Sequence, residues 1–173
     1  LQAALPEARL VPMTGVPWEL RLIKSAAEIA HLEVAAAIAD QTIQEIAEMA
    51  RPGMSTREVS AFAARRHVEL GALPDHVGPI TLGKGWGFLH GHLSDEAMRE
   101  GDVLHLELVP RFRGYGARLM RSVVIGAPSA DQKRAAATLF ELQEHQFDAM
   151  KPGALAHDID AVLRRGVLAA GLR

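Results

Sequence analysis

The chain has 173 residues, 49% of them hydrophobic, a formal net charge of -2 and no cysteine. That length buries a core without disulfide or metal staples, and the near-neutral charge leaves no electrostatic footprint for nucleic acid or an anionic membrane surface. The absence of cysteine excludes a disulfide scaffold, a thiol nucleophile and a thiolate metal site, which fits a cytoplasmic protein.

No apolar run approaches the roughly 18 residues of a spanning helix, so no membrane association is expected. Residues 1–20, LQAALPEARLVPMTGVPWEL, hold three prolines and no periodicity, and read as a linker or the tail of an N-terminal domain. From residue 21 onward the pattern is that of one folded unit. Ser25 and Glu28 form an S-x-x-E capping box, followed by Ile29, Leu32, Ala36, Ala39, Ile43, Ile46 and Ala50 as one apolar helical stripe that stops at Pro52-Gly53. Ser55 and Glu58 open a second helix with Val59, Phe62, Ala63 and Leu70 on one side and Gly71 as its stop.

Between Gly71 and Gly126 the chain becomes β-branched, alternating and glycine-punctuated. GPITLGKGWGFLHGHL predicts two short strands with a turn, and DVLHLELVP with GARLMRSVVIG predicts a longer antiparallel hairpin around Arg111 to Gly114. In its first arm Leu104, Leu106 and Leu108 point one way, and His105, Glu107 and Val109 the other. Arg118, on the opposite arm, falls on the face of Glu107, so an acid and an arginine meet where an apolar pair is ordinary. Ser129 and Gln132 then cap a helix through Met150, and a last helix covers about Ala156 to Ala170.

The chain also echoes itself. Arg51 to Gly71 aligns without a gap on Lys151 to Gly171, at an offset of 100 residues with five identities in 21 positions, among them Pro52/Pro152, Gly53/Gly153 and Gly71/Gly171. Each block follows a long capped helix. A repeat of two helices and then hairpins predicts about 55 further residues of hairpins after Gly171, by the count of 126 minus 71.

The residues ELRLIKSAAEIAHLEVAAAIAD, RPGMSTREV and REGDVLHLELVPRFRGYGARLMRSVVIG resemble the pita-bread family of methionine and Xaa-Pro aminopeptidases, prolidase and creatinase. The resemblance implies an α+β fold, present here as its first half plus the opening helices of the second, so that 21–173 is an incomplete catalytic domain. It implies a hydrolase of C–N bonds with His90 as a catalytic residue; the shared strand face adds Glu107 as the second catalytic residue and Arg118 and His105 as substrate-binding ones. Glu107 and Arg118 stand where the family has two metal-binding Asp.

A guanidinium offers five donors and no lone pair, and about 4 Å from a dication at an effective dielectric near 20 it would repel that ion by roughly 8 kcal/mol. The expectation is therefore no metal ligand and no cofactor, with a divalent metal as the alternative. The substrate expected is a small amide, amidine, guanidino compound or short peptide. A homodimer is expected from the apolar surface a second half would cover, and the chain taken alone is expected to be inactive. A non-catalytic peptide- or protein-binding module on the same fold, and a true Xaa-Pro metallopeptidase, remain as rivals.

Several features have plainer readings. Glu107 with Arg118 can be a structural ion pair, His105 a hydrogen-bonded core histidine, and His90 with His92 a hairpin coincidence. GKGWG around Lys84 lacks phosphate-loop spacing. His31, His67, His76, His145 and His157 show no convergent partner.

Overall fold

In the computed structural model, residues 3–83 and 90–172 are described. The elements run α1 (Val16–Leu22), α2 (Ala26–Met49), α3 (Thr56–Glu69), β1 (Ile80–Leu82), β2 (Val103–Leu108), β3 (Arg111–Phe112), β4 (Tyr115–Gly116), β5 (Leu119–Val124), α4 (Ala130–Ala149) and α5 (Ala156–Ala169). Helix α1 begins inside the stretch expected to be a connector, residues 1–20, and runs past its end to Leu22. Its proline is the reason: Pro17 sits in the first turn, where its missing N–H costs nothing and its fixed φ suits a helix start.

All three expected capping boxes form. The Ser25, Ser55 and Ser129 hydroxyls accept from the N–H three residues on, and the Glu28, Glu58 and Gln132 side chains accept the reciprocal N–H. Helix α2 stops at Met49 and α3 at Glu69, where Gly71 takes φ +96 and donates to the Val68 carbonyl.

Strands β1, β2 and β5 make one antiparallel sheet in that order, and β3 and β4 make a separate hairpin. Leu104, Leu106 and Leu108 are fully buried and pack with Ile80, Met98 and Ile125 against Ile43 and Ile46 of α2 and Val59 and Ala63 of α3. Burying one such side chain contributes about 1.5–3 kcal/mol, so β2 is the center of the core. The apolar stripe of α2 is buried as expected at Ala39, Ile43 and Ile46, but of its earlier members Ala36 is exposed, with Ala35 and Ile38 buried instead, and Ile29 is 46% exposed. Of the two short strands expected across 78–93, β1 is the first; residues 84–89, with Lys84, lie outside the described residues, and 90–93 form no strand.

The repeat is physical as well as sequential. Helices α3 (Thr56–Glu69) and α5 (Ala156–Ala169) stand 100 residues apart end for end. Gly53 and Gly153 take φ +94 and +86, and Gly71 and Gly171 φ +96 and +71. The N–H groups of Ala72 and Leu172 return to the carbonyls of His67 and Val167, closing the same helix stop twice.

The two helix pairs differ in cover. The pair α2–α3 has its apolar face under the sheet, whereas α4 and α5 have no buried residue and leave Phe140 66% and Leu168 66% exposed. They hold together through a close approach at Gly166, where a Cβ would meet Leu142 at 2.2 Å.

Candidate active site

The alternation of β2 puts His105 and Glu107 on the face away from the leucines, and both are buried, at 7% and 5% exposure. Register extends this face across the sheet, since directly paired residues share a side. Thr81 pairs with His105 from β1, while Ser122 pairs with His105 and Met120 with Glu107 from β5.

Arg118 reaches this face from just before β5. It is positioned by the β3–β4 hairpin, whose two loop residues, Arg113 at φ +51 and Gly114 at φ +88, make a type I′ turn. The hairpin is tied to the start of α2. The Tyr115 hydroxyl donates to Glu28 Oε1 at 3.0 Å, and the His31 ring lies 5.7 Å from Phe112 and 5.6 Å from Tyr115. His31, expected to have no convergent partner, is therefore part of the clamp that sets the hairpin.

Arg118 Nη2 lies 2.8 Å from Glu107 Oε1, and His105 Nε2 lies 3.9 Å from Glu107 Oε2. The expected acid–arginine pair thus forms, with one carboxylate oxygen toward the guanidinium and the other toward the imidazole. Burial pushes the His105 pKa below its ordinary 6.5; the Glu107 charge opposes this, and the charges of His90 and Arg118 add to it. His105 is held toward its neutral form. His90 is exposed, yet close enough for its charge to be felt at His105. His92 is exposed as well.

Beside this face a groove of about 500 Å³ runs between the sheet residues His105, Met120 and Ser122 and the helix residues Leu139, Phe140 and Leu163. Its size is that of a small-molecule site, with a polar floor and an apolar wall. Thr81 and Ser122 were not singled out in the sequence; their signal was the strand register, which puts both opposite His105.

The Metallopeptidase family M24 matches residues 30–173. An uncharacterized peptidase, YqhT, of Bacillus subtilis is 31% identical over 98% of this chain and 48% of its own length. A Xaa-Pro dipeptidase of Pyrococcus horikoshii is 30% identical over 84% of this chain and 42% of its own. The solved prolidase of Pyrococcus furiosus superposes with a TM-score of 0.80 at 28% identity, covering 88% of this chain and 46% of that one. The chain spans about half the length of the curated relatives it matches.

The match corrects the expectation of no cofactor: the matched family is one of metallopeptidases, whose enzymes use a divalent metal. The residues described here do not fit that group by themselves. Arg118, ion-paired with Glu107, has no lone pair to give, and among the described residues no three His, Asp or Glu side chains converge as ligands. No chemical step is therefore assigned to a metal. No helix is long and apolar enough to cross a membrane among the described residues. The two repeated helix pairs with one antiparallel sheet are the α+β pita-bread fold of the prolidases, and the chain belongs to metallopeptidase family M24.

Proposed function

We propose that this chain carries one half of the substrate site of a hydrolase that cleaves a C–N bond in a short peptide or small amide. The observation that carries it is the Glu107–Arg118 pair on the polar sheet face, with its two ends unequally exposed. The Glu107 side chain is 6% exposed and that of Arg118 55%. Beyond its ion pair with Glu107 the guanidinium is half in solvent, and its N–H donors suit a substrate carboxylate, which Arg binds bidentately. The second oxygen of Glu107, 3.9 Å from His105 Nε2, receives an amino or amidine nitrogen beside the imidazole. His105, near neutral, orients the same group, and the exposed His90 moves the proton that the leaving amine needs.

The relatives named prolidase and Xaa-Pro dipeptidase support a dipeptide ending in proline as the substrate, with small amide, amidine and guanidino compounds as the other class. Turnover on this reading needs a β unit over the exposed face of α4 and α5, equivalent to the one that covers α2 and α3. Where no such unit covers it, the same apolar face favors a homodimer.

Calorimetric titration of the chain with glycyl-proline and with acetamidine, together with product analysis, tests this. Binding of one class should weaken about tenfold in Arg118→Ala, and any turnover should vanish in His90→Ala. Equal affinity of the wild type and Arg118→Ala would overturn the assignment. Binding without turnover in the complete protein would favor a peptide-binding module instead.

A further inference from the structure

Resting on the reading that this sheet face binds substrate, we propose that Thr81 is a further ligand-binding residue. Its hydroxyl donates to the carbonyl oxygen of the short amide held by Glu107 and Arg118.

Three threonines are fully buried among the described residues: Thr42, Thr56 and Thr81. Two of them are satisfied within the fold. Thr42 Oγ1 donates to the Ile38 carbonyl at 2.7 Å, and Thr56 Oγ1 donates to the Ser94 carbonyl at 3.2 Å while accepting the Ser94 N–H at 2.8 Å. Thr81 Oγ1 has no hydrogen-bond partner, although the residue is only 2% exposed. A buried hydroxyl left unpaired costs free energy that an isosteric methyl does not. For packing alone valine serves this strand position as well or better, since both are β-branched.

The orphan hydroxyl is also the one on the face of the candidate site. Thr81 pairs across the strands with His105, so Thr81, His105 and Ser122 form one row on the side of Glu107. Glu107 lies two residues, about 7 Å, farther along β2, roughly the length of one peptide unit with its substituents. His105 and Ser122 line the groove of about 500 Å³, and Thr81 stands beside His105 at the far end of the row from Ser122. A donor kept unpaired in the free protein and matched by a carbonyl in the complex discriminates strongly against analogs that lack the acceptor.

The test is Thr81→Val, with Thr56→Val as control, in the full chain. Thr81→Val should raise the thermal midpoint by about 2–4 °C and weaken glycyl-proline binding about tenfold. Thr56→Val, which breaks two real hydrogen bonds, should lower the midpoint. A lowered midpoint in Thr81→Val would show that the hydroxyl is already bonded in the free chain and would overturn the proposal. Unchanged affinity in Thr81→Val beside a loss in Arg118→Ala would sink the role of Thr81 while leaving the site standing. No binding by the wild type would sink both.

Discussion

Glu107 and Arg118 form an ion pair with 2.8 Å between Oε1 and Nη2, but only the carboxylate is sheltered from water. Removing the arginine leaves a buried acid without its partner, whereas removing the acid leaves an exposed arginine that water solvates. Arg118→Ala should therefore cost about 1–3 kcal/mol of stability, less than a fully buried pair would lose because the guanidinium is half in solvent. Glu107→Gln should cost less, since the amide keeps an oxygen for Arg118 and needs no counter-charge. Urea denaturation of both single variants and the double variant yields the coupling energy; a value near zero would mean the pair is held by nothing but proximity.

Gly78 is where the backbone of the loop leading into β1 presses on the site. It takes φ +110, and a Cβ there would meet the Glu107 carbonyl oxygen at 1.9 Å. The neighboring contacts, Val109 N–H to the Val77 carbonyl and Glu107 N–H to the Pro79 carbonyl, are what bring the two backbones so close. Gly78→Ala should thus cost about 3 kcal/mol or more and disturb the Arg118 contact. Gly53→Ala meets open space at φ +94 and should cost only the left-handed strain of about 1–2 kcal/mol. The two denaturation midpoints, measured side by side, separate steric clash from backbone strain.

The features legible in the sequence were the local ones. Ser25, Ser55 and Ser129 announced three helix starts because a capping box is complete within four residues. The Glu107–Arg118 meeting followed from a period of two on each arm of a single hairpin. Helix α1 was hidden because proline stops a helix everywhere except its first turn, and Pro17 is in the first turn. The role of His31 depends on the β3–β4 hairpin folding back onto a helix far away in sequence, which no local pattern encodes. Thr81 was invisible for a different reason: its hydroxyl stands out only against the bonded Thr42 and Thr56, and hydrogen-bond satisfaction is a property of the folded state.

Acid should weaken the contact between α2 and α3 through Glu45. Hydrogen bonds from Arg66 and then Gln41 hold its pKa down at about 2, against an ordinary 4.5. Arg66 donates from Nε at 2.5 Å and from Nη2 at 2.7 Å. A depressed carboxylate stabilizes the fold above the unfolded value and loses that contribution as pH falls through the folded value, because the unfolded chain takes up the proton first. The loss should fall between about pH 4.5 and pH 2. Urea midpoints across that range should drop less steeply in Glu45→Gln than in the wild type; parallel curves would show that the pair is not felt in folding.

A second acid limb, at higher pH, should come from His67. Its side chain is 3% exposed, its Nε2 has no hydrogen-bond partner, and it lines a cavity of about 120 Å³ with Leu73, Asp75 and His76. Burial pushes its pKa below the ordinary 6.5, and Asp75 only partly opposes this. A histidine whose folded pKa is lowered binds its proton more readily when unfolded, so stability is complete above pH 6.5 and is lost as pH falls below it. His105 titrates in the same direction for the same cause. His67→Leu keeps the apolar contacts and removes one of the two titrations. Its stability should match or exceed the wild type at pH 7.5 and decline less between pH 6.5 and 5. If the wild type and His67→Leu decline in parallel over that interval, His67 is not buried neutral in solution.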